Sequence, residues 1–237
     1  MRILFCDDEP TFTAQLYAYV SEFFRSRGGI QPEYGLYTDA QALLLQEQYA
    51  DIAFLDVEMP EISGIQLGAK LKAHNPKIKI FIVTAFPDYL DEAMRFEVFR
   101  YLSKPVDQDR LNRNLQDALY RYNMETTRYT IETSAGIFVK DAEDIVCIES
   151  KQHKTLLHTT KDLLISTASV DYWRHQLTLP CYYSPHRSFI INMRYVSYIG
   201  KDTITLTFLD QSLQAFLARR KYSDFKSTYL TYLESVK

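Results

Sequence analysis

A four-residue apolar run, Ile52–Leu55, ends in a carboxylate, Asp56, and Met59-Pro60 and Gly64 then mark a turn before a helical pattern begins. An acid at the end of a buried strand is costly to hold ionised unless a cation meets it there. The chain therefore has to bring other strand ends to Asp56. Arg2–Cys6 is a short apolar strand ending in Asp7-Asp8-Glu9, and Pro10 opens a helix with Phe12, Leu16, Val20, Phe23 and Phe24 at helical spacing, closed by Gly28-Gly29. Residues 34–37 form a second strand, and Asp39 caps a helix containing Ala40, Leu43 and Leu44. After Asp56 come a helix with Ile65, Leu67, Ala69 and Leu71, then an apolar run over 78–83 ending in Thr84-Ala85. A short helix over about 89–96, a fifth strand over 99–102 ending in Ser103-Lys104-Pro105, and a helix after Asp107 with Leu111, Leu115 and Leu119 complete this half.

Five strands alternating with five helices predict an α/β fold, a doubly wound five-stranded parallel sheet with helices on both faces. In that architecture the polar residues just past the strand C-termini converge on one edge. Asp7, Asp8, Asp56, Thr84 and Lys104 thus become one pocket. Three carboxylates in a confined site repel, so the cluster takes up protons or binds a cation. Oxygen ligands alone favour Mg²⁺. A carboxylate beside that ion can attack a phosphoryl group to give an acyl phosphate. Lys104 is the counter-charge for the new phosphoryl oxygens, Thr84 supplies a hydroxyl donor, and Lys104-Pro105 is a candidate cis peptide.

From Met124 the pattern changes to short Thr-, Ile-, Val- and Tyr-rich stretches separated by turn residues such as Ser134-Ala135-Gly136. Nine strands are expected, over 129–133, 137–139, 145–149, 155–159, 163–166, 188–191, 196–199, 203–208 and 213–216, with helices only over 170–177 and 222–233. The reading is two domains, 1–122 and 128–235, joined by a short polar connection. Residues 1–124 carry 13 Lys and Arg against 18 Asp and Glu, a balance of −5; residues 125–237 carry 14 against 12, a balance of +2. A mildly basic second half is compatible with nucleic-acid binding without demanding it. Three scattered cysteines, Cys6, Cys147 and Cys181, fit a reducing cytosol. No apolar run is long enough for a membrane span, and the N-terminus lacks a signal-peptide pattern. A cytoplasmic protein is expected.

The first 120 or so residues resemble the receiver domains of bacterial two-component response regulators. The resemblance rests on Asp7-Asp8, the run DVEMPEISG from Asp56, Thr84-Ala85, Tyr101 three residues before the lysine, and Lys104-Pro105. It implies a flavodoxin-like fold with Asp56 as phosphoacceptor, Asp8 as a direct Mg²⁺ ligand, Asp7 as a ligand through water, and the main-chain carbonyl of Glu58 completing the ligation. It also implies Thr84 and Tyr101 as a switch pair, and a sensor histidine kinase as the phosphoryl donor. Haloacid-dehalogenase-like phosphatases also use an aspartyl phosphate, but need Asp-x-Asp after the first strand; Asp7 and Asp8 are adjacent. The chain is thus expected not to be an enzyme beyond its own phosphoryl transfer and autodephosphorylation.

The second half resembles the LytTR family of β-type DNA-binding domains, through IVCIESKQHKTLLHT, YYSPHRSFIINMRYV and LARRKYSDFKSTY. The resemblance implies a first DNA-contacting loop with His153 and Lys154, a second with Arg187, and a basic cluster of Arg219, Arg220 and Lys221 before the last helix. Lys151 is a further basic candidate beside the first loop. The strand after Arg187, over 188–192, reads as mainly structural. Members often carry Ser where this chain has Ala218. The expected whole is a phosphorylation-dependent transcription regulator, a homodimer when phosphorylated, on direct repeats in double-stranded promoter DNA. The alternative is a protein-interaction output module that does not bind DNA.

Overall fold

The computed structural model describes residues 1–47, 49–86, 89, 95–96 and 98–235. The chain divides into two compact units, Met1–Tyr120 and Arg121–Lys237. In the first, strands β1 (Arg2–Cys6), β2 (Glu33–Tyr37), β3 (Ile52–Leu55), β4 (Lys79–Thr84) and β5 (Arg100–Ser103) form a parallel sheet in the order β2-β1-β3-β4-β5. This is the doubly wound order of flavodoxin-like folds, as expected, and its reversal beside β1 opens a crevice at the strand C-termini. Helices α1 (Pro10–Arg27), α2 (Ala40–Gln46), α3 (Gly64–His74) and α4 (Gln108–Thr126) accompany it. The helix expected over 89–96 lies mostly outside the described residues.

Alternation along the central strands loads both faces. Phe5, Phe54 and Phe81 stand in register on β1, β3 and β4 and stack at 5.1 and 4.6 Å between ring centroids. They pack with Leu16, Val20 and Phe24 of α1 and Leu111 and Leu115 of α4. Leu4, Ala53, Leu55, Ile80 and Ile82 take the other face with Leu43 of α2 and Ile65, Leu67 and Leu71 of α3. Each such buried side chain contributes about 1.5–3 kcal/mol. Helix starts are locally encoded. The Asp39 carboxylate accepts the Ala42 N–H at 2.6 Å. Ser63 and Gln66 form a reciprocal capping box at the start of α3.

In the second unit, β6 (Arg128–Thr133), β7 (Gly136–Asp141), β8 (Ile145–Lys151), β9 (Lys154–Thr159), β10 (Leu163–Ser166), β11 (Tyr182–His186) and β12 (Phe189–Asn192) form an antiparallel sheet, ordered β11-β12-β8-β9-β10-β6-β7. The seam between β10 and β6 is short, with one paired position, Ser166 with Thr133, and the Thr167 N–H bonded to Glu132 O at 2.9 Å. A second sheet comprises β13 (Val196–Ile199), β14 (Thr203–Phe208) and β15 (Gln211–Phe216). Two helices, α5 (Val170–Gln176) and α6 (Tyr222–Ser235), complete the unit. Trp173 of α5 is buried and donates its indole N–H to Ser166 Oγ at 3.1 Å.

Two local readings change. Tyr182–His186 is a strand although Pro185 interrupts its pattern; it is an edge strand, where a missing N–H is tolerated. The connection expected over 122–128 is mostly helix, because α4 continues to Thr126.

Candidate functional site

Asp7 follows β1, Asp56 follows β3, Thr84 ends β4 and Lys104 follows β5, so the parallel sheet delivers all four to one edge. Carboxylate oxygens of Asp7, Asp8 and Asp56 lie within 4.8 Å of one another. Lys104 Nζ bridges the two buried acids, at 2.7 Å from Asp7 Oδ2 and 2.8 Å from Asp56 Oδ2. The remaining oxygens accept backbone N–H groups, Glu9 to Asp7 Oδ1 at 3.0 Å and Val57 to Asp56 Oδ1 at 2.7 Å. Asp7 and Asp56 are 5% and 7% exposed, whereas Asp8 is open to solvent. The Lys104–Pro105 peptide is cis, and Lys104 N–H bonds Thr84 O at 2.9 Å.

Burial raises the Asp7 carboxyl above its ordinary range, outweighing the hydrogen bonds from Lys104 and the Glu9 N–H. Burial pushes the Lys104 ammonium the other way, but its bonds to Asp56 and Asp7 win and hold its pKa above the usual lysine value. The ammonium also sits 4.2 Å from the centroid of the Phe12 ring. Phe12 reads in the sequence as a helix-packing residue; nothing in its spacing marks it as the lysine's neighbour.

Gly64 has a similarly hidden role. A Cβ there would lie 1.9 Å from the Asp56 carbonyl oxygen, so only glycine lets α3 approach the strand end that carries Asp56. Beside the acids, Asp8, Glu58, Met59, Ser63 and Tyr89 line a cleft of about 430 Å³, with Tyr89 OH donating to Glu58 Oε1 at 3.3 Å. Three convergent carboxylates, oxygen donors only, with one side open to solvent, fit a hard divalent cation that keeps part of its water shell.

Thr84 is 1% exposed, and its Oγ1 accepts the Phe86 N–H at 3.4 Å. Tyr101 is not at the acid cluster; its hydroxyl donates to the Phe86 carbonyl. Phe86 therefore links the two hydroxyl residues.

In the second unit, His153, Lys154 and Arg187 line one cleft of about 540 Å³, with Ser150, Thr167 and Ser169. Gln152 and His153 form the two-residue β8–β9 turn, both with positive φ (50° and 62°), a turn that ordinarily calls for Asn-Gly. Arg187 is exposed on the β11–β12 turn. Arg219 and Arg220 are exposed in a turn after β15 and do not line that cleft, but the preceding Ala218 donates its N–H to Pro185 O of β11 at 3.1 Å. Lys221 faces its own domain instead: Nζ donates to Ser184 O and lies 5.5 Å from the Tyr183 ring centroid. The strand after Arg187, Phe189–Asn192, is wholly buried, and Asn192 Nδ2 donates to Ile145 O at 3.0 Å, in keeping with a structural role.

Comparison with known proteins agrees with both halves. Residues 3–116 match the response regulator receiver domain and residues 135–229 match the LytTr DNA-binding domain. The transcriptional regulatory protein NatR of Bacillus subtilis is 26% identical over 185 residues, 76% of this chain and 79% of its own length. The transcriptional regulatory protein LytR of Staphylococcus aureus is 24% identical over 253 residues, covering 96% of this chain and 98% of LytR. A receiver domain protein from Clostridium thermocellum, known from its crystal structure, shares 24% identity over 51% of this chain and 95% of its own, with a TM-score of 0.43. The chain belongs to the response regulators that join a receiver domain to a LytTR DNA-binding domain, and is a DNA-binding transcription regulator of a two-component system.

Proposed function

We propose that Asp56 accepts a phosphoryl group from the phosphohistidine of a sensor histidine kinase, and that the phosphorylated chain dimerises on repeated promoter sites in the cytoplasm. An Asp56 carboxylate oxygen attacks phosphorus, the donor's phosphorus–nitrogen bond breaks, and the imidazole leaves with the electron pair. Asp7, Asp8, Asp56 and the Glu58 main-chain carbonyl would hold Mg²⁺, which would supply charge neutralisation at the attacking and transferred oxygens. Lys104 starts between the two acids and follows the negative charge onto the phosphoryl oxygens. The observation that carries this reading is one ammonium within 2.8 Å of two buried carboxylates, at the edge where the strand ends meet.

The switch follows from the hydrogen bonds. The Thr84 hydroxyl leaves the Phe86 N–H, a long bond at 3.4 Å, for a phosphoryl oxygen. Phe86 is then released from its Thr84 tether, and Tyr101, bonded to its carbonyl, turns inward. The surface formed by residues 89–96 and 107–119 changes with it and pairs with a second copy. Pairing two weak DNA modules raises affinity through effective concentration alone. His153, Lys154, Arg187, Arg219 and Arg220 contact the duplex, with Lys151 and Lys221 adding positive charge.

The test uses the full chain with a small-molecule phosphoryl donor and Mg²⁺. Mass spectrometry should find one added phosphoryl group in wild type and none in Asp56→Asn. Duplexes selected from a randomised pool should bind more tightly after phosphorylation. Arg187→Ala and Arg220→Ala should each weaken binding and lower the salt slope by about 1. Phosphorylation of Asp56→Asn to the same extent would remove the phosphoacceptor assignment, and unchanged binding by both arginine variants would remove the DNA contacts.

A further inference from the structure

We propose that Phe216 is an apolar reader of DNA sequence, packing its ring against the 5-methyl group of a thymine in the major groove. This rests on the reading of Arg187, Arg219 and Arg220 as DNA contacts. Phe216 ends β15 and is 61% exposed. Its neighbours on that sheet face are polar: Ser212 and Gln214 along the strand, and Thr203, Thr205 and Thr207 opposite them on β14. Two exposed rings, Phe216 and Tyr198 of β13 paired with Thr205, in a field of hydroxyls and amides fall short of a protein-docking surface, which needs roughly 800 Å² per partner.

Position and rigidity separate the Phe216 ring from an incidental surface residue. Its edge-to-face partner is buried Phe189, 5.7 Å between centroids, and His186 lies 6.2 Å away on the other strand of the same turn. Two residues on, Ala218 is hydrogen-bonded to Pro185. Phe216 therefore sits between the turn that carries Arg187 and the turn that carries Arg219 and Arg220. Among the described residues no ion pair or hydrogen bond engages the guanidinium groups of these three arginines, and all three are exposed; the Arg174 side chain reaches the Arg187 backbone carbonyl, at 2.9 Å, and not its guanidinium. Guanidinium groups take phosphates and the polar edges of bases. A ring that can accept neither finds one apolar feature on base edges in the major groove, the thymine methyl. Held by Phe189 before contact, it loses little freedom on binding.

The experiment uses the full chain and the duplex that wild type selects from a randomised pool. Each thymine is replaced in turn by uracil, which removes the methyl group alone. Phe216→Ala should weaken binding to the selected duplex about fourfold, the worth of one buried methyl group. Its affinity for unrelated duplex and its salt slope should stay at wild-type values. One thymine-to-uracil change should weaken wild type by the same factor and leave Phe216→Ala unaffected, while Phe216→Leu keeps the discrimination. Trp173 fluorescence checks that the variants are folded. Unchanged binding by Phe216→Ala, or a loss coupled to no thymine, would overturn the proposal while leaving the arginine contacts standing. Failure of wild type to select any duplex would instead overturn the arginine reading, and this one with it.

Discussion

Replacing Lys104 with methionine tests the electrostatics of the acid cluster directly. The substitution keeps the length of the side chain and its contact with Phe12, and removes the charge between Asp7 and Asp56. Breaking a buried ion pair costs about 3–5 kcal/mol when the abandoned charge has no other recourse. Here Asp8 opens the site to water, both acids keep one backbone N–H bond, and Asp7 can take up a proton. A loss of about 2 kcal/mol near neutral pH is therefore expected. Asp7 is a carboxyl raised by burial, so its penalty applies above its folded pKa and is relieved as pH falls through it. The deficit of Lys104→Met should shrink between neutral and acidic pH, as Asp7 takes up its proton. Mg²⁺ should stabilise Lys104→Met more than wild type, since no ammonium competes for the carboxylates. Urea unfolding followed by far-UV circular dichroism reads the whole chain, while fluorescence of Trp173, the single tryptophan, reads the second unit. A deficit under about 0.5 kcal/mol, or one unchanged between the two pH values, would refute the reasoning.

Gly64→Ala should destabilise the first unit by about 3 kcal/mol or more, measured by the same unfolding, because its new Cβ meets backbone, which cannot rotate away. His153→Gly should act in opposite directions on two assays. Relief of the positive-φ strain raises the thermal midpoint, by about 1 kcal/mol in stability, while retention on DNA falls. Trp173→Phe keeps an aromatic ring but removes the indole bond to Ser166 Oγ, leaving that oxygen only the Ala168 N–H, and should cost the second unit about 1 kcal/mol in thermal unfolding followed by circular dichroism.

The first unit was legible because its chemistry is written at strand ends. Alternating periodicity predicted the parallel sheet, the sheet predicted the convergence, and acids plus one lysine at those ends gave the pocket before any distance was known. What stayed hidden needed three dimensions. Gly64 matters through its approach to a carbonyl eight residues back, Phe12 through a lysine ninety-two residues on, and Tyr101 through a hydrogen bond to Phe86. In the second unit the strands with clear alternation were readable, whereas Tyr182–His186 was masked by Pro185. Basic residues there form no pattern of their own. His153, Lys154 and Arg187 line the same cleft only because β12 pairs with β8.

The thin seam between β10 and β6 has a consequence for motion. The β6–β7 hairpin is internally well paired, over six positions, but meets β10 through one paired position and one further backbone bond, Thr167 N–H to Glu132 O. Such a hairpin opens as a unit at a free energy below global unfolding. Amides on the β6 edge facing β10 should therefore exchange with solvent deuterium earlier than those shared by β8 and β9. The seven-stranded sheet would then behave as a five-stranded body with a detachable two-stranded flap, whose strands are the first of the second unit to leave the ribosome.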